Sequence, residues 1–298
     1  MSEPPSHIPG EASRRAPAPQ PPEPGLNIVS TPIGNLRDIT LRALDALAGA
    51  DRIYAEDTRI AARLLDAYGI SARVLPYHDH NGAKMRPGIL EALAAGERVV
   101  LISDAGTPLI SDPGYKLVRE AVEAGHPVRA LPGASALLTG LAAAGLPSDA
   151  FFFAGFLPPK SGARRNRLSE LATVPGTLVF YETGPRIAAC LVDVAAALGN
   201  RDVVVARELT KKFEEYRRGP ASEIARHYEE AGAPRGEITL IVAPPGEPSA
   251  SDVDVDAELA ALIPSEGVKG AASLLAQQTG LNKRDLYARA QAIKDGKA

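Results

Sequence analysis

Short apolar runs alternate with helix-period segments over the first half of the chain. The runs predict strands at 26–30, 52–55, 73–76, 99–103 and 128–131. The segments between and after them predict helices at 41–48, 60–68, 89–95, 117–124 and 134–144. Strands separated by helices of this length form parallel βαβ units. We therefore predict an α/β domain over residues 25–146.

A second block continues the alternation. Apolar runs predict strands at 151–155, 177–181, 203–207 and 238–243, with helices at 168–172, 187–198 and 222–231. Residues 211–218 alternate only in part and follow a strand closely, which favours antiparallel pairing. The fold class is thus a two-domain α/β protein with a parallel or mixed sheet in each domain, the second domain covering 147–246.

The two ends of the chain differ from this pattern. Residues 1–24 are rich in proline and poor in large apolar side chains, which predicts a disordered tail. Residues 247–264 are expected to be an acidic linker. Residues 265–298 carry six Lys/Arg and three Asp/Glu and predict a basic helical module with two helices joined by a turn. A helix-turn-helix and a plain helical hairpin packed on the body both fit this pattern.

Composition narrows the class of protein. The 298 residues are 45% hydrophobic and carry a net charge of -3, so contacts to nucleic acid must come from local basic patches. Cys190 is the single cysteine, which excludes internal disulfides and a cysteine-based zinc site. The sequence has neither an apolar run of membrane-spanning length nor an apolar signal core. We expect a cytoplasmic protein with no metal and no membrane partner.

Three predicted strand ends carry loops rich in glycine and proline. They are STPIGN at 30–35, LISDAGTPLISDPG at 101–114 and LPGAS at 131–135. Open α/β sheets bind ligands at the carboxyl ends of their strands, so these loops predict one pocket. Ordinary β-turns are the alternative interpretation. The dinucleotide fingerprint and the triphosphate P-loop are both absent, which excludes those two ligand classes.

The loop sequences resemble a known family. Eight stretches of the chain are similar to those of the RsmI family. They are STPIGNL (30–36), AEDTR (55–59), HDHN (78–81), SDAGTPLISDPG (103–114), LPGAS (131–135), AAGLPSD (143–149), GFLPPKSGARR (155–165) and ARELTK (206–211). Members of this family are 16S rRNA cytidine 2′-O-methyltransferases within the tetrapyrrole-methylase superfamily, the class III enzymes that use S-adenosylmethionine. The resemblance covers about residues 26–243 and implies a homodimer acting on the small ribosomal subunit.

The resemblance also implies a cofactor site. S-adenosylmethionine would be bound mainly by backbone groups exposed at glycine turns. The residues implied are Pro32, Gly34, Ser103, Asp104, Ala105, Gly106, Thr107, Pro132 and Gly133, with Tyr181 and Thr239 on the second domain.

Methyl transfer to a ribose hydroxyl requires a group that orients the hydroxyl and accepts its proton. The candidates in matching motifs are Glu56, Asp57, His78, Asp79, His80, Asp104 and Glu208. His78 has a second interpretation as a loop-capping residue, and Asp57 as a structural ion pair with Arg59 at a helix start. Many relatives carry a His-Arg pair where this chain has Pro185 and Arg186, so the role of that histidine cannot be transferred.

Basic residues concentrate in KSGARRNR at 160–167, which we predict to be a flexible loop contacting RNA phosphates. The RNA-contact set is Arg59, Lys160, Arg164, Arg165, Arg186 and Lys211. A solvated charged face is the alternative. Two other functions also fit the sequence: a tetrapyrrole or other small-molecule methyltransferase of the same fold, and a non-catalytic RNA-binding module.

Overall fold

The structure divides into two compact units between Thr139 and Gly140. It is a computed structural model that describes residues 18–246, 255–279 and 281–295. The division falls inside a helix, a few residues before the boundary predicted at 146/147. In the described part of the chain, no helix is both long and apolar enough to cross a membrane.

The N-terminal unit contains one five-stranded parallel sheet of order β3-β2-β4-β1-β5. Its strands are β1 (Gly25–Val29), β2 (Arg52–Ala55), β3 (Val74–Pro76), β4 (Arg98–Ile102) and β5 (Val128–Leu131). Its helices are α1 (Leu41–Ala48), α2 (Thr58–Ala67), α3 (Gly82–Ala94), α4 (Tyr115–Glu123) and the first part of α5 (Ala136–Ala144). The predicted parallel α/β domain is confirmed.

Apolar side chains of β1 and β4 form the centre of this unit. Leu26 and Leu101 lie in one hydrophobic cluster with residues of α3 and α4, while Val29 and Val100 lie in another with residues of α1 and α2. A strand covered by helices on both faces needs apolar side chains in both directions. This requirement explains the continuous apolar run at 99–102.

The C-terminal unit contains a mixed five-stranded sheet of order β6-β7-β10-β8-β9. Its strands are β6 (Phe151–Phe156), β7 (Thr177–Thr183), β8 (Asp202–Arg207), β9 (Glu215–Pro220) and β10 (Glu237–Val242). The helices that accompany them are α6 (Ser161–Leu171), α7 (Gly184–Leu198) and α8 (Ala221–Ala231). β6 and β7 are parallel and the other pairs are antiparallel, which confirms the mixed sheet.

The C-terminal segment forms two helices that bury an apolar cluster of their own. α9 (Val255–Thr279) is kinked at Gly267, whose φ is +68°, and α10 (Lys283–Lys294) packs against it. Val255 and Leu259 belong to the cluster, so the predicted linker is wrong for residues 255–264. The added acidic residues Asp256 and Glu258 also offset the basic character expected for this module. Residues 247–254 lie outside the described residues.

Two further predictions need correction. Disorder was expected throughout 1–24, and residues 1–17 lie outside the described part. Residues 18–24, however, contact the N-terminal unit: the Gln20 amide donates to Asp45 Oδ2 at 3.0 Å, and Glu23 pairs with Arg129. The basic stretch 160–167 is not a loop, because α6 begins at Ser161. Its buried positions Arg164, Leu168 and Leu171 follow helical spacing.

Candidate active site

The carboxyl ends of all five parallel strands lie along one edge of the N-terminal sheet. The strand register aligns Pro76, Ala55, Ile102, Val29 and Leu131 in a row across the sheet. The loops with the predicted site residues begin directly after these positions. One sheet edge therefore collects the motifs of this unit, as expected from parallel topology.

The long loop after β4 folds back onto the end of β1. Thr31 and Gly106 exchange two backbone hydrogen bonds of 2.9 and 3.0 Å, and Thr31 Oγ1 donates to the Ser103 carbonyl at 3.1 Å. Gly106 has a φ of +79°, a conformation that disfavours other residues. The loop is therefore held in one place above the neighbouring strand end.

Small hydroxyl side chains connect these loops to one another. Ser30 Oγ lies 2.9 Å from Thr107 Oγ1, and Thr107 Oγ1 also donates to the Ala134 carbonyl at 3.3 Å. Gly133 packs closely against Ser30: a Cβ added at Gly133 would stand 2.7 Å from Ser30 Cβ. α5 begins at Ala136, so Gly133 precedes the helix start rather than forming it. Between the ends of β1 and β5, small neutral residues and backbone groups predominate, and this donor set fits an adenosyl ligand.

Backbone strain is concentrated in two of the motif loops. Among the described residues, the non-glycine residues with positive φ are Leu109 and Ser111 in the first loop, and Glu208 and Thr210 in the ARELTK stretch. Such conformations are unfavourable outside glycine and cluster at functional sites. Both loops were selected from the sequence for their motifs alone.

Asp57 proves to be a structural residue rather than a free base. Its carboxylate accepts from the Arg59 amide at 2.8 Å and from Arg59 Nε at 3.0 Å, and it caps the start of α2. The hydrogen bonds from Arg59 hold the pKa of the Asp57 carboxyl well below its usual range. A carboxylate stabilised in its charged form is a poor proton acceptor, which argues against a catalytic role for Asp57 and favours the ion-pair interpretation.

Asp104 lies beside this pair. Its Oδ1 accepts the backbone N–H of Asp57 at 3.1 Å, which ties the loop after β4 to the start of α2. A hydrogen-bonded chain therefore runs from Asp104 through Asp57 to Arg59. The Arg59 side chain is 84% exposed and remains available to a further partner.

Two more carboxyl groups at this edge have raised pKa values. Burial, reinforced by the charges of Glu56 and Asp104, raises the pKa of Asp112 to about 6. Burial, with the charges of Asp104 and Asp79, also raises the pKa of Glu56. Asp112 was absent from the predicted site, although the repeated Ser-Asp dipeptide at 111–112 was a visible signal for it.

His78 and Asp79 follow β3 at the outer end of the same row. The His78 amide donates to Asn81 Oδ1 at 2.9 Å, and Asn81 returns a bond to the Pro76 carbonyl at 3.0 Å. The turn is thus capped by Asn81, so the His78 ring does not form the cap. His78 Nδ1 is buried, with no hydrogen-bond partner among the described residues. Asp79 is exposed.

In the C-terminal unit, the structure brings Tyr181 and Thr239 together. They are directly opposite each other on β7 and β10, so their side chains share one face of the sheet. The Tyr181 ring packs edge-on against Phe153 and Phe156. Thr239 lies close to Gly140: a Cβ added at Gly140 would stand 3.0 Å from Thr239 Cγ2.

Glu208 and Lys211 are engaged with each other. Glu208 Oε1 accepts from Lys211 Nζ at 2.9 Å and from the Glu237 amide at 3.1 Å, and Lys211 also binds Glu237 Oε2 at 2.8 Å. The bond from Lys211 lowers the pKa of Glu208. These bonds tie the end of β8 to β10 and argue against the predictions of a catalytic Glu208 and an RNA-binding Lys211.

The predicted RNA-contact residues of α6 and α7 separate into two sets. Lys160 is exposed, and the Arg165 side chain is 51% exposed. Arg164 is buried against Asp193, and Arg186 Nη2 donates to the Leu157 carbonyl at 2.6 Å. Arg164 cannot reach a phosphate, so its assignment is wrong. The guanidinium of Arg186 is used to hold a loop rather than presented to solvent.

Within the described residues, no group of three His, Cys, Asp or Glu side chains is placed to hold a metal ion. The buried Cys190 thiol has its pKa raised by burial to about 12, in agreement with the core position expected for it.

Family models match nearly the whole chain. The model described as Tetrapyrrole (Corrin/Porphyrin) Methylases matches residues 25–225, and that of the RsmI C-terminal HTH domain matches residues 249–294. The second match favours the helix-turn-helix over a plain hairpin at the C-terminus. Fold and match together define a methyltransferase of the tetrapyrrole-methylase class.

Individual relatives narrow this class further. Ribosomal RNA small subunit methyltransferase I of Mesorhizobium japonicum is 50% identical over 93% of this chain and 94% of its own. That of Escherichia coli O157:H7 is 47% identical over 88% and 93%. Uroporphyrin-III C-methyltransferase from Thermus thermophilus, solved with S-adenosylhomocysteine, shares the fold with a TM-score of 0.52 at 21% identity, covering 74% of this chain and 97% of its own. The chain belongs to the tetrapyrrole-methylase family, in its ribosomal RNA small subunit methyltransferase I group.

Proposed function

We propose that this protein methylates the ribose 2′-oxygen of a cytidine in 16S rRNA of the small ribosomal subunit, using S-adenosylmethionine. The observation that carries the proposal is the relationship to ribosomal RNA small subunit methyltransferase I, near 50% identity over more than nine-tenths of both chains. The name of those relatives supplies the substrate class. The cytidine and the 2′-oxygen come from the resemblance in the motif loops.

The cofactor would be held by the strand-end loops. The residues implied in the N-terminal unit are Pro32, Gly34, residues 103–107, Pro132 and Gly133, and those implied in the C-terminal unit are Tyr181 and Thr239. When bound, S-adenosylmethionine supplies an electrophilic methyl group on a sulfonium. The hydroxyls of Ser30 and Thr107 contact each other, and that of Thr31 donates to the Ser103 carbonyl. Because these hydroxyls are already engaged, recognition falls to exposed backbone groups.

The proton of the ribose hydroxyl must go to a group at the same edge. Asp57 is stabilised as a carboxylate by Arg59, and Glu208 is neutralised by Lys211. We assign the role to Asp104, with His78 and Asp79 as the groups that orient the hydroxyl. Asp104 is half-buried and has one oxygen fixed by the Asp57 amide, which leaves its other oxygen to accept the proton.

Arg59, Lys160 and Arg165 are the proposed phosphate contacts, since each is a cation with an exposed side chain. We further propose a cytoplasmic homodimer, in line with the motif resemblance. Light scattering of the purified protein tests this: a mass near twice 31.2 kDa is expected, and a mass of one chain contradicts it.

The decisive experiment compares two methyl acceptors, small ribosomal subunits and a porphyrinoid, with the same methyl donor. The protein is incubated with tritium-labelled S-adenosylmethionine and small subunits from cells lacking the gene, and the labelled nucleotide is mapped. A 2′-O-methylcytidine in 16S rRNA is expected. Label on a porphyrinoid in place of rRNA would support the small-molecule alternative, and cofactor binding without transfer would support a non-catalytic role.

A further inference from the structure

A buried carboxylate on α7 organises the start of α6. The Asp193 side chain is 3% exposed and accepts three hydrogen bonds. Arg164 Nε donates to its Oδ2 at 2.7 Å, and Arg164 Nη2 forms an ion pair with the same oxygen at 2.7 Å. Arg165 Nε and Ser161 Oγ donate to Oδ1 at 2.6 and 2.9 Å. Burial by itself would raise the pKa of Asp193, but the bonds from Arg165, Ser161 and Arg164 lower it overall.

Arg164 also donates hydrogen bonds to the loop that precedes α6 and to α7. Its Nη1 donates to the Pro159 carbonyl at 3.3 Å, and its Nη2 to the Ala189 carbonyl at 3.3 Å. From the other side, Arg186 Nη2 reaches the Leu157 carbonyl at 2.6 Å and ion-pairs through Nε with the buried Glu182 at 3.1 Å. The loop 157–160 is thereby held by two guanidinium groups.

The positions of two exposed cations depend on these bonds. Lys160 ends the held loop, and Arg165 binds Asp193 through Nε at 2.6 Å with half of its side chain exposed. A guanidinium anchored at Nε still presents its terminal N–H groups, which suits the bidentate recognition of a phosphate. Fixing the side chain in advance reduces the entropy lost when the phosphate binds.

We propose that Asp193 is a positioning residue for RNA binding: it fixes Arg165 directly and, through Arg164, the loop that presents Lys160. This inference rests on the proposed rRNA methyltransferase function. A buried ion pair is not required for stability, because apolar side chains of similar volume serve a core equally well. Its use here is to hold cations in a defined geometry at the surface.

The test replaces the buried pair by apolar side chains. Arg164→Met with Asp193→Leu avoids leaving one buried charge alone. The KM for small subunits should rise about tenfold, with a weaker salt dependence, while kcat and the Kd for S-adenosylmethionine stay within about twofold. The matched control is Arg167→Met on the same helix, since Arg167 is already paired with Glu170 at 2.8 Å. Its KM should not change.

A second variant guards against misfolding of the first. Arg165→Met leaves the Arg164–Asp193 pair intact and should raise KM by several-fold. If both variants keep the wild-type KM and salt dependence while wild type is active, the positioning role is refuted. Absence of any transfer by wild type in the same assay refutes the proposed function itself.

Discussion

Two aspartate–arginine pairs, one in each unit, differ sharply in exposure. In the N-terminal unit, Arg59 is 84% and Asp57 24% exposed, and the pair lies at the start of α2. In the C-terminal unit, Arg164 and Asp193 are 4% and 3% exposed. An exposed pair is screened by solvent and contributes little to stability, whereas one member of a buried pair cannot be removed without leaving an isolated charge. Arg59 of the first pair can therefore contact a ligand itself, whereas Arg164 of the second pair can act only through the residues that it holds in place.

The largest effect on stability is expected when one member of the buried pair is removed. Asp193→Ala should lower the free energy of unfolding by about 3–5 kcal/mol, because Arg164 then remains buried without its counter-ion. Asp57→Ala should cause a far smaller fall. Urea unfolding of both variants checks the difference, and equal losses would remove the contrast between the two pairs.

Removal of Asp104 should affect activity rather than stability. Asp104→Ala is expected to reduce kcat/KM for methyl transfer by about 100-fold, since the proton acceptor and the bond to the Asp57 amide are lost together. Asp104→Asn separates these two losses, because its amide oxygen can still accept the Asp57 N–H. Near-normal activity of Asp104→Asn would exclude proton acceptance by Asp104.

The exposed pair can be tested through its arginine. Arg59→Met should raise the KM for small subunits by about tenfold, the effect of one charge-assisted hydrogen bond, and reduce the salt slope by about one. The melting temperature should stay close to that of wild type. A normal KM together with a lowered melting temperature would make Arg59 structural, like Arg164.

The smallest effect concerns Asp112, whose pKa of about 6 lies above its ordinary value of 3.8. The folded state then binds more protons than the unfolded state between pH 4 and 6, so stability falls as pH rises through this window. Because Asp112 is only half-buried, a loss of about 1 kcal/mol is expected. Asp112→Asn should abolish this part of the pH dependence, measured by urea unfolding at pH 4.5 and 7. An unchanged profile would contradict the raised pKa.

Much of the fold followed from local patterns. The apolar runs predicted the strands to within a few residues because buried parallel strands need continuous apolar side chains. The main error was α6, predicted only at 168–172. Lys160 precedes it and its first turns carry Arg164 and Arg165, and such a charged stretch with Gly162 is typical of a loop. In the structure, the arginines of these turns bond to Asp193, which is distant in the sequence.

The candidate site, too, was predictable from the sequence only in part. The sequence located the strand-end loops, because glycine, proline and aspartate after an apolar run reflect local chain geometry. It could not distinguish a free carboxylate from a paired one, since Asp57, Asp104 and Glu208 are the same kind of residue in similar motifs. Asp112 was missed for the same reason: its raised pKa comes from burial and from the charges of Glu56, in the loop after β2, and Asp104, in its own loop.

The sequence by itself determined the order of strands and helices, the family, and the edge at which the motif loops lie. These properties depend on periodicity, turn chemistry and motif spacing, which are local. Only the tertiary structure decided which charges are exposed and which are neutralised. Burial and ion pairing depend on residues distant in the chain, as in the bonds from Arg164 to Asp193 and from Lys211 to Glu237.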